Sequence, residues 1–264
     1  MNEQLEFLKL IVSRLDSAGI PYMLTGSMAM SVYVPPRMTR DVDFVIECEP
    51  SDAERLTELF GRDCYIDQQV VREAILERRS FNIIHSEWIV KADFIVRKET
   101  DYRRVEFGRR RKVDVETWSM WVAAPEDLLL TKLEWWKDGS SELHRRDAEL
   151  LASSARDLDW EYVHLWANRL GLTGAGGGEG EMTDTPKAVG IRYAEALLSV
   201  PPARRIEMAC SMFATAKALA LAGIRTGARP YEDGERVALF LRLYGRDLTG
   251  ETRASVVAHL ERAA

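Results

Sequence analysis

The segment DVDFVIE (41–47) alternates acidic and apolar residues, and it constrains the fold more than any other stretch of the chain. In an extended strand its apolar residues fall on one face while Asp41 and Asp43 fall on the other, because successive side chains point to opposite faces. The Cα atoms of the two aspartates are then about 7 Å apart. Two carboxylates on a largely buried strand cost free energy through desolvation and mutual repulsion, and a cation such as Mg²⁺ offsets both costs. The segment therefore predicts a metal-binding strand.

Two further features extend this prediction. Asp93 lies in another apolar strand, KADFIV, and a neighbouring strand can bring this third carboxylate beside the pair. Gly26 and Ser27 follow the short strand PYML and begin a small, apolar helix. Glycine lets the backbone approach a ligand closely, and the first amides of a helix can hold phosphate oxygens together with the Ser27 hydroxyl. Three carboxylates and a phosphate-binding turn suit a two-metal site that acts on a nucleoside triphosphate.

The runs TGSMAMSVYVPPRMTRDVDFVIE and KADFIV resemble the DNA polymerase β superfamily of nucleotidyltransferases over about residues 20–97. That superfamily combines a Gly-Ser pair, a spaced Asp-x-Asp and a later strand aspartate. Within it, the pattern Arg-x-Thr-x-Asp-x-Asp at 37–43 is similar to bacterial minimal nucleotidyltransferases and the AbiEii-type toxin branch, and PEDLLLTKLEWW with a later Arg-Asp pair extends the similarity. The resemblance implies an α/β (α+β) nucleotidyltransferase fold with a mixed sheet and a helical subdomain.

The resemblance also implies roles for individual residues. Two Mg²⁺ or Mn²⁺ ions would be held by the three aspartates, and Asp93 would help to deprotonate the acceptor hydroxyl. The chain departs from the toxin branch at Leu150, where those proteins carry a second aspartate three residues after the first. The candidate residues are Asp41, Asp43 and Asp93 for metal binding and catalysis, Gly26, Ser27 and Lys132 for the triphosphate, and Arg37, Thr39, Arg146 and Asp147 as further motif positions.

The pattern of periodicities predicts two domains. Residues 1–172 are assigned to the nucleotidyltransferase domain, in which the chain turns from mixed to all-helical near residue 125. Residues 173–186 include TGAGGGEGE, whose composition is typical of a flexible linker. Residues 187–264 show helical periodicity alone and predict a separate small all-α module. Met182 directly follows the glycine-rich run, so a fusion of two genes is one hypothesis for this organisation.

The function of the helical module is open at this stage. A toxin-type enzyme needs restraint, and a tethered helical unit acting as an antitoxin or docking element would have a high effective concentration. An inert, stabilising appendage is the simpler alternative.

Charge and cysteine content restrict the partners and the compartment. A net charge of -6 argues against a protein coated in nucleic acid, so an RNA partner would have to bind a local patch. Three widely spaced cysteines encode neither a disulfide framework nor a zinc site, and the N-terminus lacks a basic, cleavable leader, which fits a cytoplasmic protein. The apolar stretch 208–224 is shorter than the roughly 20 residues that span a bilayer, so a buried helix and no membrane partner are expected.

A basic run near residue 110 offers one candidate surface for RNA. It could hold the backbone of a tRNA acceptor, but a solvated face is the commoner explanation of such a run. Its members are Arg103, Arg104, Arg109, Arg110, Arg111 and Lys112.

Three classes of function follow from these residues. The first is a nucleotidyltransferase that moves a nucleoside monophosphate from a triphosphate to a hydroxyl of tRNA or protein, as in toxin-antitoxin systems. The second is a transferase acting on a small molecule such as an antibiotic. The third is a catalytically silent binding partner, against which the three intact aspartates argue.

Overall fold

Seven strands form a mixed sheet. The computed structural model describes residues 2–139, 141–172, 187–226 and 234–262. The strands are β1 (Tyr22–Thr25), β2 (Asp41–Ile46), β3 (Cys64–Tyr65), β4 (Ser80–His85), β5 (Lys91–Val96), β6 (Arg111–Val115) and β7 (Trp118–Val122). Their order in the sheet is β3-β4-β5-β2-β1-β7-β6. The β2-β5 and β1-β7 pairs are parallel, whereas the β3-β4, β4-β5 and β6-β7 pairs are antiparallel.

Helices occupy most of the remaining described chain. They are α1 (Glu3–Ala18), α2 (Gly26–Met30), α3 (Asp52–Phe60), α4 (Gln68–Glu77), α5 (Asp101–Gly108), α6 (Pro125–Gly139), α7 (Glu142–Ser154), α8 (Trp160–Arg169), α9 (Lys187–Leu198), α10 (Pro202–Arg225), α11 (Gly234–Tyr244) and α12 (Gly250–Arg262).

Most of these elements agree with the periodicity of the sequence. The helix predicted at 2–18 begins at the cap Asn2 and ends where Gly19 adopts the left-handed conformation that glycine tolerates. The hairpin predicted over SFNIIHSEWIVKADFIVR is the antiparallel pair β4-β5. The strands β3 and β6 were missed, because β3 has only two residues and β6 is a largely exposed, charged strand at the edge of the sheet.

The chain divides into two compact units. Unit 1 comprises Met1–Tyr22, Met38–Arg97 and Ala209–Ala264, and unit 2 comprises Met23–Arg37 and Lys98–Met208. Unit 1 therefore contains the strands β2 to β5, and unit 2 contains β6, β7 and the helices α5 to α9.

An aromatic cluster forms the core of unit 1 beneath the sheet. The Phe94 ring stacks on Phe44 and Phe81, with centroid distances of 5.8 and 5.2 Å, and lies 5.6 Å from Phe60 of α3. All four side chains are almost fully buried. Because Phe44 and Phe94 alternate with the aspartates of β2 and β5, this packing fixes the opposite face of both strands as the one that carries the acids.

The separate all-α C-terminal module is not confirmed. Residues 209–264 belong to the same compact unit as the acidic strands, and residues 187–208 belong to unit 2. Phe213 of α10 and Phe240 of α11 are almost fully buried. Buried Lys217 donates to the Trp88 carbonyl and pairs with Glu3 of α1. The predicted linker at 173–186 lies outside the described residues, and the boundaries 1–172 and 187–264 stay predictions.

Helix α10 is buried on one face only. Its buried positions include Ala209, Cys210 and Phe213, whereas Met212 and Leu219 are exposed, so the helix predicted to be buried over 208–224 is buried on one side only. Within the described chain this helix is also the one that is long and apolar enough to cross a membrane, and 28% of its most apolar window is buried. A single helix of this kind is weak evidence of membrane insertion.

Candidate functional site

In unit 1, the three predicted aspartates lie on one face of two neighbouring parallel strands. The register of β2 and β5 places Asp41 beside Lys91 and Asp43 beside Asp93. Asn82 of β4 is in turn beside Asp93. The alternation in β2 thus predicted that Asp41 and Asp43 share one face of the strand. The parallel pairing of β2 with β5 places Asp93 beside Asp43 on that face.

A buried lysine lies between two of these carboxylates. The Lys91 ammonium Nζ is 2.7 Å from Asp93 Oδ2 and 3.4 Å from Asp41 Oδ1, and its side chain is 6% exposed. Burial by itself would lower the pKa of Lys91, but the charges of Asp93 and Asp41 raise it overall, so the lysine is a cation. Burial raises the pKa of Asp41, and repulsion from Asp93 adds to the rise while Lys91 opposes it.

The Oδ1 atom of Asp41 is poorly satisfied. It is buried and makes no well-formed hydrogen bond, and the Lys91 ammonium lies 3.4 Å away as an ion-pair partner. A buried carboxylate oxygen without a well-formed hydrogen bond is the kind of atom that a divalent cation satisfies. The oxygen-rich face therefore fits Mg²⁺ or Mn²⁺ chemically. As the described side chains stand, no group of three His, Cys, Asp or Glu residues is arranged to hold a metal ion.

The segment that leads into β2 accepts hydrogen bonds from α1, near the start of the chain, and from α11, near its end. Gln4 Nε2 of α1 donates to the carbonyl oxygens of Thr39 and Arg40, both at 3.1 Å. The Thr39 hydroxyl donates to the Asp41 carbonyl at 3.3 Å, so this motif residue positions the backbone of the acidic strand. The Tyr244 hydroxyl of α11 donates to the Arg40 carbonyl at 3.3 Å.

The side chain of Arg40 fastens the same segment to the end of α11. Its guanidinium donates to the Leu243 carbonyl and pairs with Asp247 at 3.1 Å. The fully buried Tyr244 ring lies 5.9 Å from Lys91 Nζ. Helix α11 is therefore part of the wall around the acidic face. Sequence reasoning missed Tyr244, because no local pattern connects it with a strand some 200 residues away.

In unit 2, the turn predicted to bind phosphate lies where β1 meets α2. Gly26 begins the five-residue helix α2 directly after β1 with a positive φ of 66°, a conformation that glycine adopts without a steric penalty. The Ser27 hydroxyl accepts a hydrogen bond from Arg37 at 2.5 Å and lies 3.5 Å from Lys132 Nζ.

Asp147 joins Arg37 and Lys132 in one cluster. Its carboxylate accepts two hydrogen bonds from the Arg37 guanidinium, at 2.9 and 2.8 Å, and lies 2.8 Å from Lys132 Nζ. The side chains of Asp147 and Lys132 are 3% and 2% exposed, whereas that of Arg37 is 31% exposed. The structure therefore brings together four predicted residues, and the cluster of two cations and one carboxylate carries a net charge of +1.

The electrostatics of this cluster favour the charged form of the acid. Burial would raise the pKa of Asp147, but the hydrogen bonds from Arg37 and the charge of Lys132 lower it overall. Arg146, the neighbouring motif residue, is exposed on α7.

The basic run of the sequence is largely committed to ion pairs inside unit 2. Arg109 pairs with Glu126 and Asp127 at 3.0 and 3.2 Å, and Arg103 pairs with Glu106 at 2.8 Å. Arg104 and Arg111 also pair with carboxylates, namely Asp101 and Glu126. These contacts hold α5 and β6 against the start of α6, and they favour the structural interpretation of the run.

Comparisons with known proteins assign no family to this chain. No family model matches it, and no curated protein matches it. Among solved structures, the chain is similar to an antigenic nucleotidyltransferase-like protein from Paracoccidioides brasiliensis, with 16% identity and a TM-score of 0.42. The similarity covers 66% of this chain and 92% of that protein. A TM-score below 0.5 at this identity does not establish a shared fold or activity.

Proposed function

We propose that the chain is a metal-dependent nucleotidyltransferase that moves a nucleoside monophosphate from a nucleoside triphosphate to an acceptor hydroxyl. The observation that carries the proposal is the in-register placement of Asp41, Asp43 and Asp93 on one face of β2 and β5, with a buried Asp41 oxygen that makes no well-formed hydrogen bond. Asp41 and Asp43 would hold Mg²⁺ or Mn²⁺, with Asp93 beside them on the same face. When bound, such an ion would lower the pKa of the acceptor hydroxyl and stabilise the leaving pyrophosphate.

The cluster of unit 2 supports the nucleotide-binding part of the proposal. Its net positive charge suits a polyphosphate, and Arg37, whose bidentate edge pairs with Asp147, is the cation of the cluster that is partly exposed. Lys132 acts as a buried charge that, with Asp147, orients Arg37 and the Ser27 hydroxyl. Gly26 gives the close backbone approach that the triphosphate requires.

In the proposed transfer step, Asp93 takes up the proton of the acceptor hydroxyl. The acceptor oxygen attacks the α-phosphorus, the bond from that phosphorus to the bridging oxygen breaks, and pyrophosphate leaves. Asp93 accepts the proton of the acceptor hydroxyl and later releases it to water.

The proposed identity of the acceptor rests on the resemblance to the toxin branch, and not on a binding surface of the structure. A hydroxyl of tRNA or protein is the expectation from the toxin branch, and an antibiotic-like small molecule is the alternative. Ion pairing of the basic run gives no specific support to an RNA acceptor.

Label transfer tests the proposal directly. Purified full-length chain would be incubated with Mg²⁺, each labelled nucleoside triphosphate, and total RNA, total protein or a panel of hydroxyl-bearing antibiotics. Asp41→Asn and Asp43→Asn are expected to lower the transfer rate by about 100-fold or more, because each removes a carboxylate from the charged face. Asp138→Asn, on the exposed end of α6, is the matched control and should keep the parental rate. Absence of transfer to every acceptor class, or equal rates in all variants, contradicts the proposal.

A further inference from the structure

Lys91 is placed by the fold on the acidic face itself. It stands opposite Asp41 in the parallel β2-β5 register and two residues before Asp93 on the same strand, so its side chain shares the face of all three aspartates. The sequence offered this signal in KADFIV, where the spacing of two residues places lysine and aspartate side by side.

The ammonium group occupies space that a bridging ion would need. Nζ lies between Asp93 Oδ2 and Asp41 Oδ1, at 2.7 and 3.4 Å. Mg²⁺ binds oxygen ligands at about 2.0–2.1 Å. An ion bridging those two oxygens would therefore overlap the ammonium and be repelled by its charge.

The surroundings hold Lys91 in this position. Its side chain is 6% exposed, and the buried Tyr244 ring of α11 lies 5.9 Å from Nζ. If the ammonium moved away from both carboxylates while still buried, its charge would be unpaired, and an unpaired buried charge is costly. The lysine is therefore a fixed part of the face.

Charge balance points the same way in the absence of nucleotide. The three carboxylates lie beside the Lys91 ammonium, and Arg40 adds a second positive charge that acts on Asp41, so these cations already offset part of the negative charge of the face. A second divalent ion would leave an excess positive charge on a partly buried face.

We infer that Lys91 takes the place of one of the two metal ions, so that the acidic face binds a single divalent cation through Asp41 and Asp43 while the lysine neutralises Asp93. This inference rests on the proposed function for its biological use, but it concerns metal binding alone and can be tested without turnover.

The test counts Mn²⁺ ions by electron paramagnetic resonance, with full-length protein and no nucleotide. Lys91→Met is expected to bind one more Mn²⁺ per chain than the parent, because both the charge and the steric block are removed. Asp93→Asn in the Lys91→Met background should abolish the additional ion. Two Mn²⁺ ions bound to the acidic face of the parent, or equal counts in the parent and Lys91→Met, would overturn the inference.

Controls separate this result from misfolding and from failure of the proposed function. Lys91→Arg keeps the charge and should keep the parental Mn²⁺ count. Without metal, Lys91→Met should melt at a lower temperature than the parent, and Mn²⁺ should raise its melting temperature by more than it raises the parent's. If Lys91→Met does not fold, the number of Mn²⁺ ions bound by the parent and by Lys91→Arg still tests the inference. Two ions bound to the acidic face of either protein would overturn it. A chain that transfers no nucleotide yet shows the expected counts would contradict the proposed function and leave the inference standing.

Discussion

At the scale of single residues, Asp147 determines how two cations of unit 2 are held. It is the shared carboxylate of Arg37 and Lys132, and it is 97% removed from solvent together with a lysine that is equally buried. Removing one member of a buried charged group leaves the others unpaired, which costs more than the group contributes when intact. The cluster is therefore sensitive to changes at Asp147 irrespective of any role in catalysis.

Asp147→Asn is expected to lower the free energy of unfolding by about 3 kcal/mol at pH 7. Because the folded-state pKa of Asp147 lies below the unfolded value of about 3.9, the stabilisation is complete above that value and is lost as the pH falls through the folded pKa. Urea unfolding at pH 7, 5 and 3 should thus show a difference between parent and variant that shrinks below about pH 4. A difference that does not depend on pH would contradict a charge effect; Asp138→Asn should unfold like the parent throughout.

Local sequence patterns predicted which residues are candidates for metal and phosphate binding, but not the contacts that hold them in place. The Asp-x-Asp spacing and the alternation of β2 fix which face carries the carboxylates, since strand geometry depends on neighbours in sequence. Gln4, Arg40 and Tyr244 act through contacts between residues far apart in the chain, and no periodicity encodes such contacts. Lys91 could have been found from its spacing to Asp93.

At the scale of elements, α10 and α11 change the interpretation of the C-terminal region. Helical periodicity predicted helices over 187–199 and 202–225, and the structure has helices over 187–198 and 202–225, because such periodicity is a local property. It did not predict that residues 209–264 would belong with the acidic strands. The partner against which an amphipathic face packs depends on the whole chain, and local periodicity does not identify it.

A matched pair of substitutions on α10 tests this packing. Phe213→Ala is expected to lower the free energy of unfolding by about 3–5 kcal/mol, because it empties a fully buried site. Leu219→Ala on the exposed face of the same helix should change it by less than about 0.5 kcal/mol. Both are measured by urea unfolding of the full-length chain. Equal, small effects would indicate that α10 is not packed in unit 1, and would favour the separate helical module.

At the scale of the whole molecule, charge bears on the choice of acceptor. The chain carries a net charge of -6, and four arginines of the basic run pair with carboxylates within unit 2. A surface that neutralised six phosphates would give a slope of about -4 to -5 for the logarithm of RNA affinity against the logarithm of salt concentration. A run whose charges are already paired releases few counterions.

Binding of labelled total tRNA, followed by fluorescence anisotropy between 50 and 200 mM salt (about the range over which such contacts are lost), should therefore show a slope no steeper than about -1. Arg104→Ala and Lys112→Ala should leave it unchanged, since both positions are solvent-exposed members of the run. A steep slope that these substitutions reduce would identify the run as an RNA surface and favour a tRNA acceptor.

The attachment of Arg40 and Tyr244 has a consequence for the timing of synthesis. The segment before β2 is fastened to α11 by contacts that span 203 and 204 residues of sequence. At a synthesis rate of about 5–20 residues per second, a ribosome makes β2 about 10–40 s before it makes α11. During that interval the nascent chain contains β2 but not α11, the helix that covers the acidic face in the folded protein. The enclosed environment of the acids is therefore acquired late in translation, and folding intermediates on the ribosome would hold a more open, more hydrated form of this face.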